Sequence, residues 1–420
     1  MVNLVFLLKP LADMLWNVKM LNLLLIAFVF VFSMAYIFHI KPLKVNLALL
    51  LLSFLFLRSL AADVNEITVG VFLKVLSAFL LFFLAQFASD GKKAIEVIAA
   101  SFIVPVLYIL YQAATGDGYQ YWGTVYTFVG PYYYKTDLAI TVILSVVFFR
   151  KYLFFSRFKL GKAFTAAYML IVAPKLILMA NSRMLLIVYA VILIGTIVEY
   201  FRYKDQKFSK LKRNAIIAYS LLLAVGGYTL YVNSFIPKGA LVIEVQSGEI
   251  FSASNTQGRS EIWNAITRNY FNGDLLNILF GYSINKDHQF DTVLHADSHN
   301  AWLKVMVSCG LAGLFIYLVA IALAINKLRV LMRDYRRRKT EYFVLSTVLL
   351  VVLSYLFSGI SQSNIIFTQS SWYVFYFMGL IFNAKLFPSS AVQLSSPFKP
   401  APQAGLLETS FLNRKQVNRA

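Results

Sequence analysis

Apolar stretches of about 20 residues, each long enough to cross ~30 Å of hydrocarbon, recur along this chain from Met20 to Leu386. A soluble core cannot bury that many, and within a bilayer only an α-helix satisfies every backbone group inside its own segment. The fold expected is therefore an all-α polytopic membrane bundle. The stretches fall at 20–39, 43–60, 67–88, 94–113, 136–155, 161–180, 183–200, 213–235, 299–325, 342–360 and 370–387. Residues 1–16 are also apolar but contain Pro10 and Asp13, so they read as an interfacial helix or half a span and set the count at 11 or 12. They lack the basic start and small-residue cleavage site of a cleaved signal peptide. Composition agrees: 59% of residues are hydrophobic and 14% charged, where a soluble chain carries about 25% charged residues.

The net charge of +20 would suit a nucleic-acid partner if it formed one patch. Its placement excludes that reading. Loop 150–162 has Arg150, Lys151, Arg157, Lys159 and Lys162 with no acid, and loop 326–341 has the run Arg336-Arg337-Arg338-Lys339. Loop 199–213 is also basic. These three alternate with loops that are acidic or nearly free of charge, which is the pattern of cytoplasmic loops that set topology and touch anionic lipid. Orientation then propagates. The turn 181–183, the segment 236–298 and the turn 359–371 are expected outside the cytoplasm, and the tail from Lys385 inside. The chain divides into N-terminal spans (1–235), a long periplasmic loop of short amphipathic helices (236–298), C-terminal spans (299–387) and a tail (388–420) whose Pro/Ser/Gln content reads as disordered. The one cysteine, Cys309, excludes a disulfide framework and a thiolate metal site.

Polar residues that cluster at the outer face are the candidates for chemistry. At 63 residues, segment 236–298 is the longest loop, and its apolar anchors argue against disorder. In its stretch 258–270, Arg259, Trp263, Ile266 and Tyr270 fall within about 40° of one another on a helical wheel. That stripe is suited to lying on the bilayer, with Arg259 at one end. An arginine there binds either lipid headgroups, by snorkelling, or the phosphates of a substrate, which a guanidinium fork holds bidentately.

The second cluster is His295-Ala296-Asp297-Ser298-His299-Asn300, just before an apolar span. With Asp297 or Ser298 as N-cap, His299 is expected in the first helical turn, where the helix dipole favours neutral imidazole able to accept a proton. The same residues fit a purely structural pair, or two metal ligands at i and i+4, although no HExxH pattern accompanies them. A third element is the outward turn Asn181-Ser182-Arg183, an arginine on the side of the membrane where flanking cations are uncommon. Loop 114–135 adds Tyr119, Tyr121, Trp122, Tyr126 and Tyr132 to Tyr134, which fit either an interfacial aromatic belt or stacking surfaces for sugar rings. Gly310 and Gly313 read as a smooth face for close helix packing. Ionisable residues inside the spans look few, with Lys74 and Lys175 the main ones, which disfavours a transporter. There is no P-loop, no GxSxG and no paired-cysteine motif, so neither nucleotide nor cofactor is indicated.

The order of these elements carries a resemblance. An outward Ser-Arg turn, Gly-Arg-x-x-x-Trp in a long loop, Leu-Phe-Gly-Tyr at 279–282, and His-Asn opening a span with Gly310-x-x-Gly313 resemble the O-antigen polymerase/ligase superfamily of bacterial inner-membrane proteins. The resemblance implies a C-type membrane glycosyltransferase that uses undecaprenyl-diphosphate-linked oligosaccharide at the periplasmic face, without metal or cofactor. It implies that Arg183 and Arg259 hold the donor diphosphate and that His299 activates the acceptor hydroxyl. His295, Asn300, Trp263 and Trp122 would be supporting or acceptor-site residues. It further implies membrane lipids, a chain-length regulator and other export-pathway proteins as partners. A polymerase would place the glycan on another lipid-linked repeat unit, a ligase on lipid A–core. The sequence departs from the family in loop 114–135, where Gly130-Pro131-Tyr132 stands in place of a Gly-aromatic segment followed by Pro-Asn or His-Asn.

Overall fold

The computed structural model describes residues 2–39, 43–122, 125–204, 214, 217–218, 259–290 and 298–388. In chain order the helices are α1 (Val2–Met14), α2 (Lys19–Tyr36), α3 (Lys44–Ala61), α4 (Glu66–Ala85), α5 (Gly91–Ser101), α6 (Ile103–Thr115), α7 (Lys135–Phe155), α8 (Lys159–Ala167), α9 (Ala173–Met179) and α10 (Arg183–Lys204). After the undescribed segment come α11 (Arg259–Phe271), α12 (Leu275–Phe280), α13 (Lys286–Phe290), α14 (Ala301–Asp334), α15 (Lys339–Ser358) and α16 (Thr368–Leu380). Among the described residues, nine helical segments are long and apolar enough to cross a membrane. This is an all-α polytopic bundle with one exception, an antiparallel hairpin of β1 (Tyr119–Trp122) and β2 (Val125–Phe128) pairing Tyr119 with Phe128. The hairpin forms where aromatic and β-branched residues dominate both strands. The expected span 213–235 and the tail 388–420 lie almost wholly outside the described residues.

Helix starts follow local chemistry. Asn65 caps α4 in a capping box, its side chain accepting from the Ile67 and Thr68 amides while Thr68 Oγ1 accepts from the Asn65 amide. Asp90 caps α5 by accepting from the Lys92 and Lys93 amides. The expected span 161–180 is interrupted by a π-helical stretch, Tyr168–Val172. In that register the Met169 carbonyl would pair with residue 174, a proline without an N–H. The Tyr189 hydroxyl on α10 donates to the Met169 carbonyl instead.

One expectation is corrected. The stretch 370–387 yields only a 13-residue helix, α16, about 20 Å long and too short to cross by itself. All but one of its residues are buried. It lies inside the bundle along α4, where Trp372 Nε1 donates to Ser77 Oγ at 2.9 Å. Residues 1–16 supply α1, which turns Val5, Phe6, Lys9 and Asp13 into the bundle, with the Phe6 ring 4.7 Å from Tyr376, and leaves Leu4, Leu7 and Leu8 exposed on its other face.

Buried ionisable residues are also more numerous than the sequence reading allows. Lys9 pairs with Asp13 and donates to Thr368 Oγ1 at 3.0 Å. Arg150 on α7 pairs with Glu199 on α10, and Ser346 on α15 donates to the same carboxylate. Lys304 on α14 pairs with Asp287 on α13 at 2.8 Å. The sequence hides these because each partner comes from a different segment, or from a helix face whose exposure only packing decides. Paired in this way, charges inside a bundle tie elements together rather than stand alone in hydrocarbon.

Candidate functional site

α11 presents Ile262, Ile266 and Tyr270 to Met306 and Val307 on the first part of α14. The amphipathic stripe therefore packs on protein, which corrects the expectation that it rests on the bilayer. α14 supplies the apolar partner, and Glu261, Asn264 and Arg268 on the opposite face are exposed. Burial pushes the Tyr270 hydroxyl up to about 12, so it stays a donor, and it bonds the Ile278 carbonyl at 2.5 Å. Trp263 Nε1 donates to the Ser298 carbonyl at 2.8 Å. Arg259 lies one turn before Trp263 and is half-buried. Burial holds its guanidinium below the usual arginine range, yet an arginine remains a cation at any physiological pH. Among the described residues it forms no ion pair.

The start of α14 differs from expectation. Its N-cap is Asn300, whose Oδ1 accepts from the Trp302 and Leu303 amides at 2.9 and 3.1 Å. His299 thus sits just outside the cap rather than in the first turn. The reason is reach. The Asn300 carboxamide also donates to the Ile360 carbonyl at 3.1 Å, and the Ala301 amide donates to the Gly359 carbonyl at 2.8 Å. The turn after α15 therefore holds both residues that open α14.

His299 itself has φ 46° and Asn181 φ 49°, and among the described residues no other non-glycine backbone is left-handed. The neighbours of His299 are tied on both sides. The Ser298 amide donates to Asp287 Oδ2 at 3.1 Å, the Ser298 carbonyl takes the Trp263 indole, and Asn300 is the cap. His299 is half-buried. The Arg259 end of α11, Trp263, His299 and Asn300 are thus gathered at one place. His295 and Asp297 lie outside the described residues.

Arg183 is reached by a different route. The structure describes its backbone, which opens α10 directly after the turn at Asn181. A narrow cavity beside the start of α10 is lined by Ile140, Leu185, Val188, Tyr355, Ser358 and Ser370. Leu185 is two residues beyond Arg183, and Ser358 two before the Ile360 carbonyl that holds Asn300, so the Arg183 turn and the start of α14 belong to the same end of the bundle. Trp122 is carried by another element. It ends β1 in the hairpin, whose second strand packs against α9. In that hairpin Tyr121 faces Tyr126 with ring centroids 4.9 Å apart, and the Tyr121 ring is exposed.

A kink completes the site. α14 breaks at Gly310, where φ is 73° and ψ −177°. The Leu-Phe-Gly-Tyr segment crosses there, its Tyr282 amide donating to the Val307 carbonyl at 2.8 Å. Arg58 on α3 caps the crossing by donating to the Phe280 and Gly281 carbonyls at 2.9 and 2.7 Å. Gly310 is therefore a break made for a crossing chain, where the sequence suggested only a smooth packing face. Sequence reasoning also passed over Arg58, Asp287 and Lys304. The signal for the last pair was Lys304 itself, a lone cation early in an apolar span, which requires an acid nearby.

No known protein family matches this sequence, and no curated protein does.

Proposed function

We propose that this multi-pass membrane chain is a polysaccharide polymerase of the bacterial inner membrane, acting at the periplasmic face. It moves a glycan from undecaprenyl diphosphate to the end of another lipid-linked repeat unit. The observation that carries the reading is Arg259: a half-buried cation without an ion-pair partner among the described residues, one helical turn from an indole that bonds the residue beside His299. Such a cation suits an incoming anion, and a guanidinium fork fits diphosphate oxygens.

In this mechanism Arg183 and Arg259 bind the diphosphate and neutralise the charge that grows on it as it leaves. The acceptor hydroxyl oxygen forms a bond to the anomeric carbon while the bond from that carbon to the diphosphate oxygen breaks. His299 takes the hydroxyl proton. Attack from the face opposite an α-linked leaving group inverts the anomeric centre. Alignment of the two substrates and stabilisation of the leaving group provide the rate enhancement.

Lipopolysaccharide gels of a strain lacking this chain test the reading. Core capped with a single repeat unit is the expected result. Bare core, with long chains still on the lipid carrier, would make it a ligase instead. An unchanged ladder would remove both.

A further inference from the structure

We propose that Asp287 is a positioning residue for His299, an inference that rests on the function proposed above. Asp287 and Lys304 are 0% and 1% exposed, and a Lys304 Nζ to Asp287 Oδ1 contact of 2.8 Å joins them. A pair that served only to neutralise Lys304 would need no more than this. The second carboxylate oxygen does something else: it accepts the Ser298 amide at 3.1 Å. Residue 298 is thereby fixed to α13 through its N–H and to α11 through its carbonyl, which takes the Trp263 indole at 2.8 Å. Residue 300 is fixed to the turn after α15 at 3.1 Å.

His299 spans the gap between two anchored neighbours, and its left-handed backbone, φ 46°, is the conformation that closes it. For a residue with a Cβ, that conformation is strained and persists because the surroundings over-determine it. Lys304 lies one turn into α14, counted from the cap. The ion pair therefore registers the carboxylate to the helix that the histidine precedes, and the amide bond carries that register to residue 298. Asp287 touches neither substrate in this account. It sets the direction from which the imidazole meets the acceptor hydroxyl.

The test uses the purified full-length protein in lipid with lipid-linked repeat units, read as kcat, donor KM and melting temperature. Three variants are compared: Asp287→Asn, the exchange Asp287→Lys with Lys304→Asp, and His299→Ala. Asp287→Asn should lower kcat by about 10- to 100-fold, the scale of a misplaced reacting group, with donor KM unchanged. The exchange keeps opposite charges at the two positions but puts no acceptor opposite the Ser298 amide, so melting temperature should recover and kcat should not. A normal kcat in Asp287→Asn beside an inactive His299→Ala overturns the positioning role and leaves the proposed function standing. Recovery of kcat together with melting temperature in the exchange variant overturns it too, by making the pair purely structural. A fully active His299→Ala overturns the positioning role and the proposed mechanism together.

Discussion

His299 and Asn181 are held in the same uncommon backbone region; the first is the candidate base, and the second stands two residues before Arg183. Strain of this kind is retained where neighbouring contacts leave no alternative. For His299 those contacts are the cap at Asn300 and the bonds of Ser298. Its place beside the Arg259 end of α11 suits a group that removes a proton from an acceptor held against a bound diphosphate. His299→Ala should cut glycan transfer by about 10² to 10⁴, the usual worth of one acid–base group. Binding of the lipid-linked donor should persist, and a radiolabelled donor retained on the purified variant checks that part. If transfer falls only because donor is no longer retained, His299 is a binding residue and not the base. The sequence pointed to this histidine but misjudged its setting, because the choice of Asn300 as cap depends on the Ile360 carbonyl, 60 residues further along the chain.

At the scale of elements, the crossing of the Leu-Phe-Gly-Tyr segment over α14 is the least tolerant join. A Cβ on Gly281 would sit 2.2 Å from the Ser308 carbonyl oxygen, and one on Gly310 would sit 2.2 Å from that of Leu279. Both obstacles are backbone, so neither can swing aside, and both glycines have positive φ, 90° and 73°. Gly281→Ala should therefore cost ~3 kcal/mol, overpacking and strain combined. Gly70 on α4 has nothing within 4 Å of a Cβ, and Gly70→Ala should be neutral or slightly stabilising, since alanine is the better helix former. Melting temperatures of the two variants in detergent make the comparison, and equal values would mean that the crossing is not tight. The motif was legible as letters in the sequence. Its meaning was not, since a glycine in a loop and a glycine in an apolar span give no sign that they face each other.

For the whole molecule, the arrangement depends on which end of the bundle faces outward. The basic loops 150–162 and 326–341 lie at the end opposite the Arg183 turn and the start of α14, because each is one helical crossing away, along residues 159–179 and along α15. Reporter fusions at Arg337 should report the cytoplasm and fusions at Gln369 the periplasm. A cytoplasmic Gln369 would put Arg259 and His299 on the wrong side for lipid-linked glycans that have already been flipped. What the sequence by itself determined was the class of the protein, a multi-pass helical membrane chain, through the length and spacing of its apolar stretches. These are properties of single segments in contact with lipid or water, and each segment carries them alone. Tertiary structure alone decided that α16 lies inside the bundle, that α1 turns Lys9 and Asp13 inward, that the α11 stripe meets α14, and that Asp287 finds Lys304. Each of those outcomes is a pairing between segments, and a side chain's own sequence neighbours do not say which distant surface will cover it.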